Sequence, residues 1–338
     1  DITEQEVQDA LSKASNWKSP GVDGIYKFWW KSFTELHKDL AKVFTISMKE
    51  SMPEWFTEGL TFLLPKSSKT RGPKNYRPIT RLPTMHKVLT SIITERIYQQ
   101  LITNNILPLE QKGCRKGSYG CKDQLLINKM IMEDYKRRHK NLSMALIDYR
   151  KTFDIVPHSW ILKTMEMYKL HPIVQTFMKE SMQQWKNNLI LIHESGSVEV
   201  KNGTLLGDSL YLLLFCLTLL PLSAELNSTG YGYNLDKTNR NKCINHLFYM
   251  DDLKLYAKSD TQLHGELMVV HQFSQDVGME FGVDKCVKTT LQHGKFTFTE
   301  NIELSKDVTI KELDQEGVYK YLEVDESDSI QHAKMKEK

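Results

Sequence analysis

Two stretches of this chain place aspartates at the ends of short apolar runs. Met144-Ala145-Leu146-Ile147 leads directly into Asp148, and His246–Tyr249 and Leu253–Tyr256 flank Met250-Asp251-Asp252. Short apolar runs bounded by turn residues read as buried strands. The end of a buried strand lies at the margin of the core, where an unpaired carboxylate is costly. A divalent cation removes that cost. Converging carboxylates form a hard-oxygen site suited to Mg²⁺, which keeps water and substrate phosphates as its other ligands. Two such ions about 4 Å apart would clamp the attacking and leaving oxygens of an in-line phosphoryl transfer. A lone Asp after a strand is ordinarily a turn residue, so the weight lies in Asp148, Asp251 and Asp252 together.

The remaining signals run in an α+β order. Thr3 with Glu6 forms a capping box, followed by Val7, Leu11 and Ala14 at helical spacing. A turn follows at Ser19-Pro20-Gly21-Val22-Asp23-Gly24. Trp29, Phe33, Leu36, Leu40 and Phe44 then predict one helix from Phe28 to Met48. Thr61–Leu64 reads as a strand and Lys66–Pro83 as a basic loop or hairpin. Helices are expected over Val88–Leu101, Asp123–Lys136, His158–Lys169 and Thr261–Val277, with a strand over Cys286–Leu291. Leu189–Ile192 and Val198–Val200 predict a hairpin around Gly196. This order suits one antiparallel sheet with helices on one face. The most apolar run, Leu210–Leu222, is shorter than the roughly 20 residues of a membrane span and reads as a buried helix in Ser209–Leu226. No membrane partner is expected.

At 338 residues, two or three lobes are expected, and 40% hydrophobic with 26% charged residues excludes a wholly disordered or collagen-like chain. The formal charge of +3 is uninformative, but its distribution is not. From Lys66 to Lys151 there are nineteen Lys/Arg against six Asp/Glu, leaving the remainder at −10. A basic stretch beside an acidic remainder suits a phosphate backbone lying across part of the molecule, and an uneven solvated surface explains the charge equally well. Five scattered cysteines without a CxxC pair support neither a disulfide framework nor a zinc site, and point to a reducing compartment. A first residue of Asp1 suggests an excised piece of a longer protein.

Phe248-Tyr249-Met250-Asp251-Asp252 resembles the YxDD signature of reverse transcriptases. Asp148-Tyr149-Arg150-Lys151-Thr152-Phe153-Asp154, with His158 beyond, resembles the DxxKAFDxVxH element of non-LTR, LINE-type retrotransposon polymerases, as in site-specific elements of insects and other animals. Further matches follow in the family's order: Ser19–Gly24, Asn75-Tyr76-Arg77-Pro78-Ile79, Gln111-Lys112-Gly113-Cys114-Arg115, Gly203–Phe215, Gly278–Cys286 and Tyr319-Lys320-Tyr321-Leu322. They cover roughly residues 7–324. The resemblance implies a right-hand polymerase fold with fingers over 1–140 and a ferredoxin-like antiparallel palm over 141–310. Residues 311–338 would be a palm/thumb junction with an acidic tail and a truncated thumb.

Carried onto this sequence, the resemblance implies that Asp148 and Asp251 hold two Mg²⁺ ions, for which Mn²⁺ could substitute, with Asp252 assisting. Phe153 matches the aromatic gate that excludes a 2′-hydroxyl, although spacing alone reads it as core. Lys66 and Arg77 match residues that hold the incoming triphosphate, Gly207 and Asp208 survive from the Gly-rich element, and Lys285 matches a general acid for pyrophosphate. A surface salt bridge is an equal reading of Lys285. The implied partners are an RNA template, a DNA primer or nicked target and dNTPs. The implied location is the nucleus, without a visible targeting signal. Endonuclease and nucleic-acid-binding modules are not apparent in this chain.

The sequence departs from the family's GxxQGDSLSP pattern, with Leu206 in place of Gln and Tyr211-Leu212 in place of Ser-Pro. Glu323 stands where the family has Gly, and Thr152 and Ile155 replace Ala and Ser. The expectation is a surviving metal site with impaired processive synthesis. A non-catalytic nucleic-acid-binding remnant and a nucleotidyl-cyclase-like palm domain remain as alternatives.

Overall fold

The structure, a computed structural model, describes residues 1–50, 52–65, 72, 75–190, 195–205, 207–235, 243–314, 317–322 and 324–326. In chain order the elements are α1 (Glu4–Ser12), α2 (Lys27–Ser32), α3 (His37–Ser47), β1 (Glu58–Pro65), β2 (Tyr76–Arg81), α4 (Thr84–Thr103), α5 (Cys121–Arg137) and β3 (Leu142–Ile147). They continue with α6 (Thr152–Ile155), α7 (His158–Met167), α8 (Pro172–Gln184), β4 (Lys186–Ile190), β5 (Ser195–Glu199), α9 (Ser209–Ser228), β6 (Tyr233–Asn234) and β7 (Cys243–Ile244). Then come β8 (His246–Tyr249), β9 (Asp252–Ala257), α10 (Asp260–Val277), β10 (Val287–Gln292), β11 (Lys295–Phe296), β12 (Ile302–Ser305), β13 (Val308–Glu312), β14 (Tyr319–Tyr321) and β15 (Val324–Glu326). The fold is α+β. The chain forms two compact units, each built from separated stretches: 1–106 with 153–218, and 107–152 with 219–338. These bounds do not coincide with a linear division at 140 and 310, because contacts join segments far apart in sequence.

The first unit holds a four-stranded sheet in the order β2-β1-β4-β5. β1 runs antiparallel to β2, with Thr61 opposite Thr80, and parallel to β4, with Leu60 opposite Asn188. The expected hairpin exists as β4–β5, but Gly196 pairs with Leu189 inside β5 and does not make the turn. The capping box at Thr3 forms as read, with Glu6 and Thr3 bonded reciprocally.

The single helix expected over Phe28–Met48 is broken. Phe33 leaves the helical region at φ −91°, ψ 67°, and a short 3₁₀ turn precedes α3. Leu40 and Phe44 are buried, whereas Trp29, Phe33 and Leu36 are exposed. The aromatic rings there pack on one another instead: Trp29 stacks on Phe33, and Trp17 on Phe28. The sequence reading had no counterpart to α8, which starts at Pro172 with His171 as its cap.

The second unit is built on a seven-stranded sheet ordered β12-β13-β10-β3-β9-β8, with β11 paired to β10. β3 is buried at all six positions, as its apolar sequence requires. It lies antiparallel between β9 and β10, with Ile147 opposite Leu253 and Leu146 opposite Val287. Helix α10 packs on β9 and β3. One core cluster joins Ile131 and Tyr135 of α5 to Leu142, Met144, Leu247, Tyr256 and Leu291 of the strands. The expectation of one antiparallel sheet is corrected in two ways. There are two main sheets, and each contains a parallel pair, β1 with β4 and β10 with β13.

Helix α9 corrects the length read from the apolar run alone. At 20 residues it is long and apolar enough to cross a membrane by length and composition, and 72% of its apolar window is buried inside the protein. Burial on that scale fits the core helix expected from sequence.

Candidate active site

Asp148 follows directly on β3. The β3–β9 pairing ends at Ile147 opposite Leu253, and Asp148 and Asp252 are the next residues beyond that pair on the two chains. Tyr249 pairs with Asp252, so Met250 and Asp251 form the two-residue loop joining β8 to β9. Met250 has φ +56°, a conformation that L-residues resist. The side chain of Gln111, fully buried, holds it there. Its Oε1 accepts from Met250 N at 3.1 Å and from Gly113 N at 2.8 Å, and its Nε2 donates to the Met250 carbonyl at 3.3 Å. Gly113 has to be small, since a Cβ there would lie 2.7 Å from Met250 N.

Burial pushes the Asp251 carboxyl above its usual range. The Thr152 hydroxyl opposes this by donating to Asp251 Oδ2 at 2.9 Å, the negative charge of Asp148 adds to it, and Lys285 relieves it. Lys285 Nζ lies 3.1 Å from Asp148 Oδ2 and 3.3 Å from Oδ1. It is presented by a turn in which Lys285 N donates to the Gly282 carbonyl at 2.7 Å. Gly282 N in turn donates to the Asp148 carbonyl at 2.7 Å, and a Cβ at Gly282 would come within 2.6 Å of Asp148 Oδ2. Tyr149 bridges Phe281, and Arg150 N donates to the Glu280 carbonyl, so the segments after β3 and before β10 run side by side.

The first unit holds the other residues singled out from sequence. Arg77 lies exposed on β2, opposite Leu64, and Lys66 lies outside the described residues. Phe153 is half-buried, its ring 4.3 Å from that of Phe215. Gly207 has φ +122°, and a Cβ on it would sit 2.9 Å from the Thr80 carbonyl oxygen, so only glycine fits. Asp208 is buried. Its Oδ1 accepts from Leu210 N at 2.8 Å, capping α9, and its Oδ2 accepts from Thr90 Oγ1 at 2.6 Å. Burial lifts its pKa to about 6, against those bonds and the charges of Lys87 and Lys27.

The profile of the family described as reverse transcriptase (RNA-dependent DNA polymerase) matches residues 64–325. The chain belongs to the reverse transcriptase family. Similar proteins include the Pol polyprotein of the type-1 retrotransposable element R2 from Popillia japonica, 25% identical over 299 residues, covering 86% of this chain and 39% of that protein. The R2 Pol polyprotein of Nasonia vitripennis is 25% identical over 291 residues, covering 84% of this chain and 26% of its own. A probable RNA-directed DNA polymerase from the X-element transposon of Drosophila melanogaster is 27% identical over 217 residues, covering 62% and 24%. The likeness is to non-LTR, LINE-type reverse transcriptases, and the chain spans about two-fifths or less of these relatives' length.

Against that family, the departures fall unevenly. Tyr211 is absorbed into the core of the first unit. Its hydroxyl is 2.7 Å from His86 Nε2 and its ring meets Trp185 edge-on at 4.9 Å. Leu212 is half-buried on α9, while Leu206 and Glu323 lie outside the described residues. The donor chemistry of Asp148 and Asp251 suits a hard divalent cation, because both offer carboxylate oxygens. Among the described residues, however, no group of three or more His, Cys, Asp or Glu side chains is gathered to hold a metal. Lys285 compensates the charge of Asp148. One or two carboxylates are the usual protein share of a Mg²⁺ site. Gln111, Thr152 and Gly282, which carried no role in the sequence reading beyond their motifs, prove to shape the two acids.

Proposed function

We propose that this reverse transcriptase domain copies an RNA template into DNA from the 3′-hydroxyl of a DNA primer or nicked target, using dNTPs. The reading rests on one observation: Asp148, directly after β3, and Asp251–Asp252, at the turn into β9, lie at the same end of the paired strands β3 and β9. Asp148 and Asp251, assisted by Asp252, would hold Mg²⁺, or Mn²⁺ in its place. Two ions would stabilise charge on the attacking and leaving oxygens. The right-hand assignment belongs to the same reading: fingers over 1–140, palm over 141–310, and the start of a thumb beyond.

The chain's own groups have distinct tasks. Arg77, with Lys66, offers a guanidinium and an ammonium to the triphosphate, the first bidentate and the second a point charge. Phe153 narrows the space beneath the sugar and selects deoxynucleotides. Lys285, beside Asp148, is placed to give a proton to departing pyrophosphate. Asp208 and Gly207 set the start of α9, and the Thr152 hydroxyl favours the ionised form of Asp251. Leu206 lacks the amide of the family's Gln, so strand synthesis is impaired without loss of the acidic pair. Nuclear residence, and supply of a nicked target by modules outside this domain, complete the proposal.

Primer extension on RNA and DNA templates tests it, comparing the parent with Asp251→Asn. Extension that disappears with the substitution supports polymerisation. Equal nucleic-acid binding without extension by either protein supports a non-catalytic remnant, the reading favoured by Leu206.

A further inference from the structure

The C-terminal end of α5 carries Lys136-Arg137-Arg138-His139-Lys140. One buried carboxylate organises it. Asp134, with its side chain 8% exposed, accepts from Arg138 Nε at 2.8 Å, from Lys140 Nζ at 3.0 Å and from the Tyr233 hydroxyl at 2.9 Å, with Arg137 at 3.4 Å. Lys140 also donates to the Asn234 carbonyl at 2.8 Å and lies over the Tyr233 ring. The turn after β10 packs on the same run. Gly294 N donates to the Lys140 carbonyl and His293 N to Asn141 Oδ1, placing Lys295 nearby in sequence on β11.

Cations near a helix C-terminus ordinarily offset its dipole, and one or two suffice. Here Arg137, Arg138 and Lys140 gather on Asp134, with Lys136 beside them in the chain and Lys295 following Gly294, which bonds to Lys140. Arg137 remains 75% exposed. These basic side chains border a concavity of about 890 Å³, lined by Lys136, Arg137 and Arg138 together with Glu133, Asp134, Met130 and Leu235. A guanidinium whose base is held by Asp134 loses less entropy on binding phosphate bidentately.

Lys140 precedes β3 and Asp148 follows it, so the length of this strand, about 20 Å at 3.3 Å per residue, separates the basic concavity from the acids. We propose that this concavity is a second nucleic-acid site, which grips the phosphate backbone of template or product strand away from the carboxylates. It uses charge and guanidinium geometry and reads no base sequence.

The test is fluorescence anisotropy on the whole chain, in EDTA, with a 30-nucleotide single-stranded RNA and a matching RNA–DNA duplex, between 50 and 200 mM salt. Arg137→Glu with Lys295→Glu leaves the Arg138 and Lys140 contacts to Asp134 intact. The account expects about tenfold weaker binding and a salt slope shallower by about one to two, since each lost phosphate contact removes about 0.7. The two probes show which strand form loses more. Should thermal melting show the reversed charges to be disruptive, Arg137→Gln with Lys295→Gln gives the same comparison, with a smaller expected loss. Unchanged affinity and slope for both probes, or displacement of the RNA by a poly-glutamate peptide at equal charge concentration, overturns the proposal. Neither outcome touches the primer-extension test, which depends on Asp251.

Discussion

The Thr152 hydroxyl donates to Asp251 Oδ2 at 2.9 Å. That bond counters the largest influence on Asp251, which is burial. A hydrogen bond to a charged group contributes about 1.5–3 kcal/mol, which corresponds to one pH unit or more of carboxyl titration. Thr152→Ala, which restores the residue of the family pattern, should raise the Asp251 pKa further. Divalent-cation affinity measured by calorimetry from pH 5 to 8 should then fall on its acid side, with the midpoint displaced upward. A midpoint at or below that of the parent would show that the hydroxyl does not hold Asp251 ionised.

A buried cation ties the last hairpin to the same sheet. Lys254, two residues after Asp252, donates to Glu326 Oε2 at 2.7 Å and to the Tyr319 hydroxyl at 2.8 Å, and lies over the rings of Tyr319 and Tyr321. Asn128 Nδ2 donates to the other Glu326 oxygen, Oε1, at 2.8 Å. Both charged side chains are almost wholly buried. Lys254→Met strands the carboxylate and should cost about 3–5 kcal/mol in urea unfolding. Adding Glu326→Leu removes the stranded charge and should recover most of that loss. A double variant as unstable as the single would show that packing, and not charge, sets the cost.

Glu266 on α10 is buried and neither carboxyl oxygen has a hydrogen-bond partner among the described residues. Burial pushes its pKa up to about 9 from an ordinary 4.5. Between those values the folded state keeps a proton that the unfolded state releases, so stability contributed by this group falls as pH rises, by at most about 1.4 kcal/mol per unit. Glu266→Gln has no such slope. Its melting-temperature advantage over the parent should be larger at pH 8 than at pH 5; an advantage that shrinks with pH would mean the acid is ionised in the fold.

Phe153 is half-buried beside Phe215, neither sealed in the core nor fully free. If it gates the sugar, Phe153→Val should raise incorporation of ribonucleotides relative to deoxynucleotides by about tenfold or more in primer extension. An unchanged ratio would assign the ring to packing alone.

Local sequence carried the strands that bear the acids. β3 and β8 fall where their apolar runs lie, because a buried strand needs apolar residues at successive positions. Helix α10 starts beside its Ser259 cap and ends at Gly278, both readable signals. What failed depended on distant partners. The break at Phe33 arises where exposed rings stack, a choice that helical spacing cannot reveal. The parallel pairing of β1 with β4 joins residues more than a hundred positions apart. In the site, the aspartates were legible as residue types, but their supports were not. Gln111 reaches Met250 across 139 positions, and Gly282 owes its size to Asp148 across 134.

Asp148 and Asp251 are expected to share a divalent cation. Mn²⁺ titration followed by electron paramagnetic resonance, on the parent, Asp148→Asn and Asp251→Asn, addresses it without requiring catalysis. The account predicts saturable binding by the parent that raises its melting temperature, and weakening of at least about tenfold in each variant, as expected when one of two ligating carboxylates is lost. Mn²⁺ affinity that is indifferent to both substitutions would contradict it.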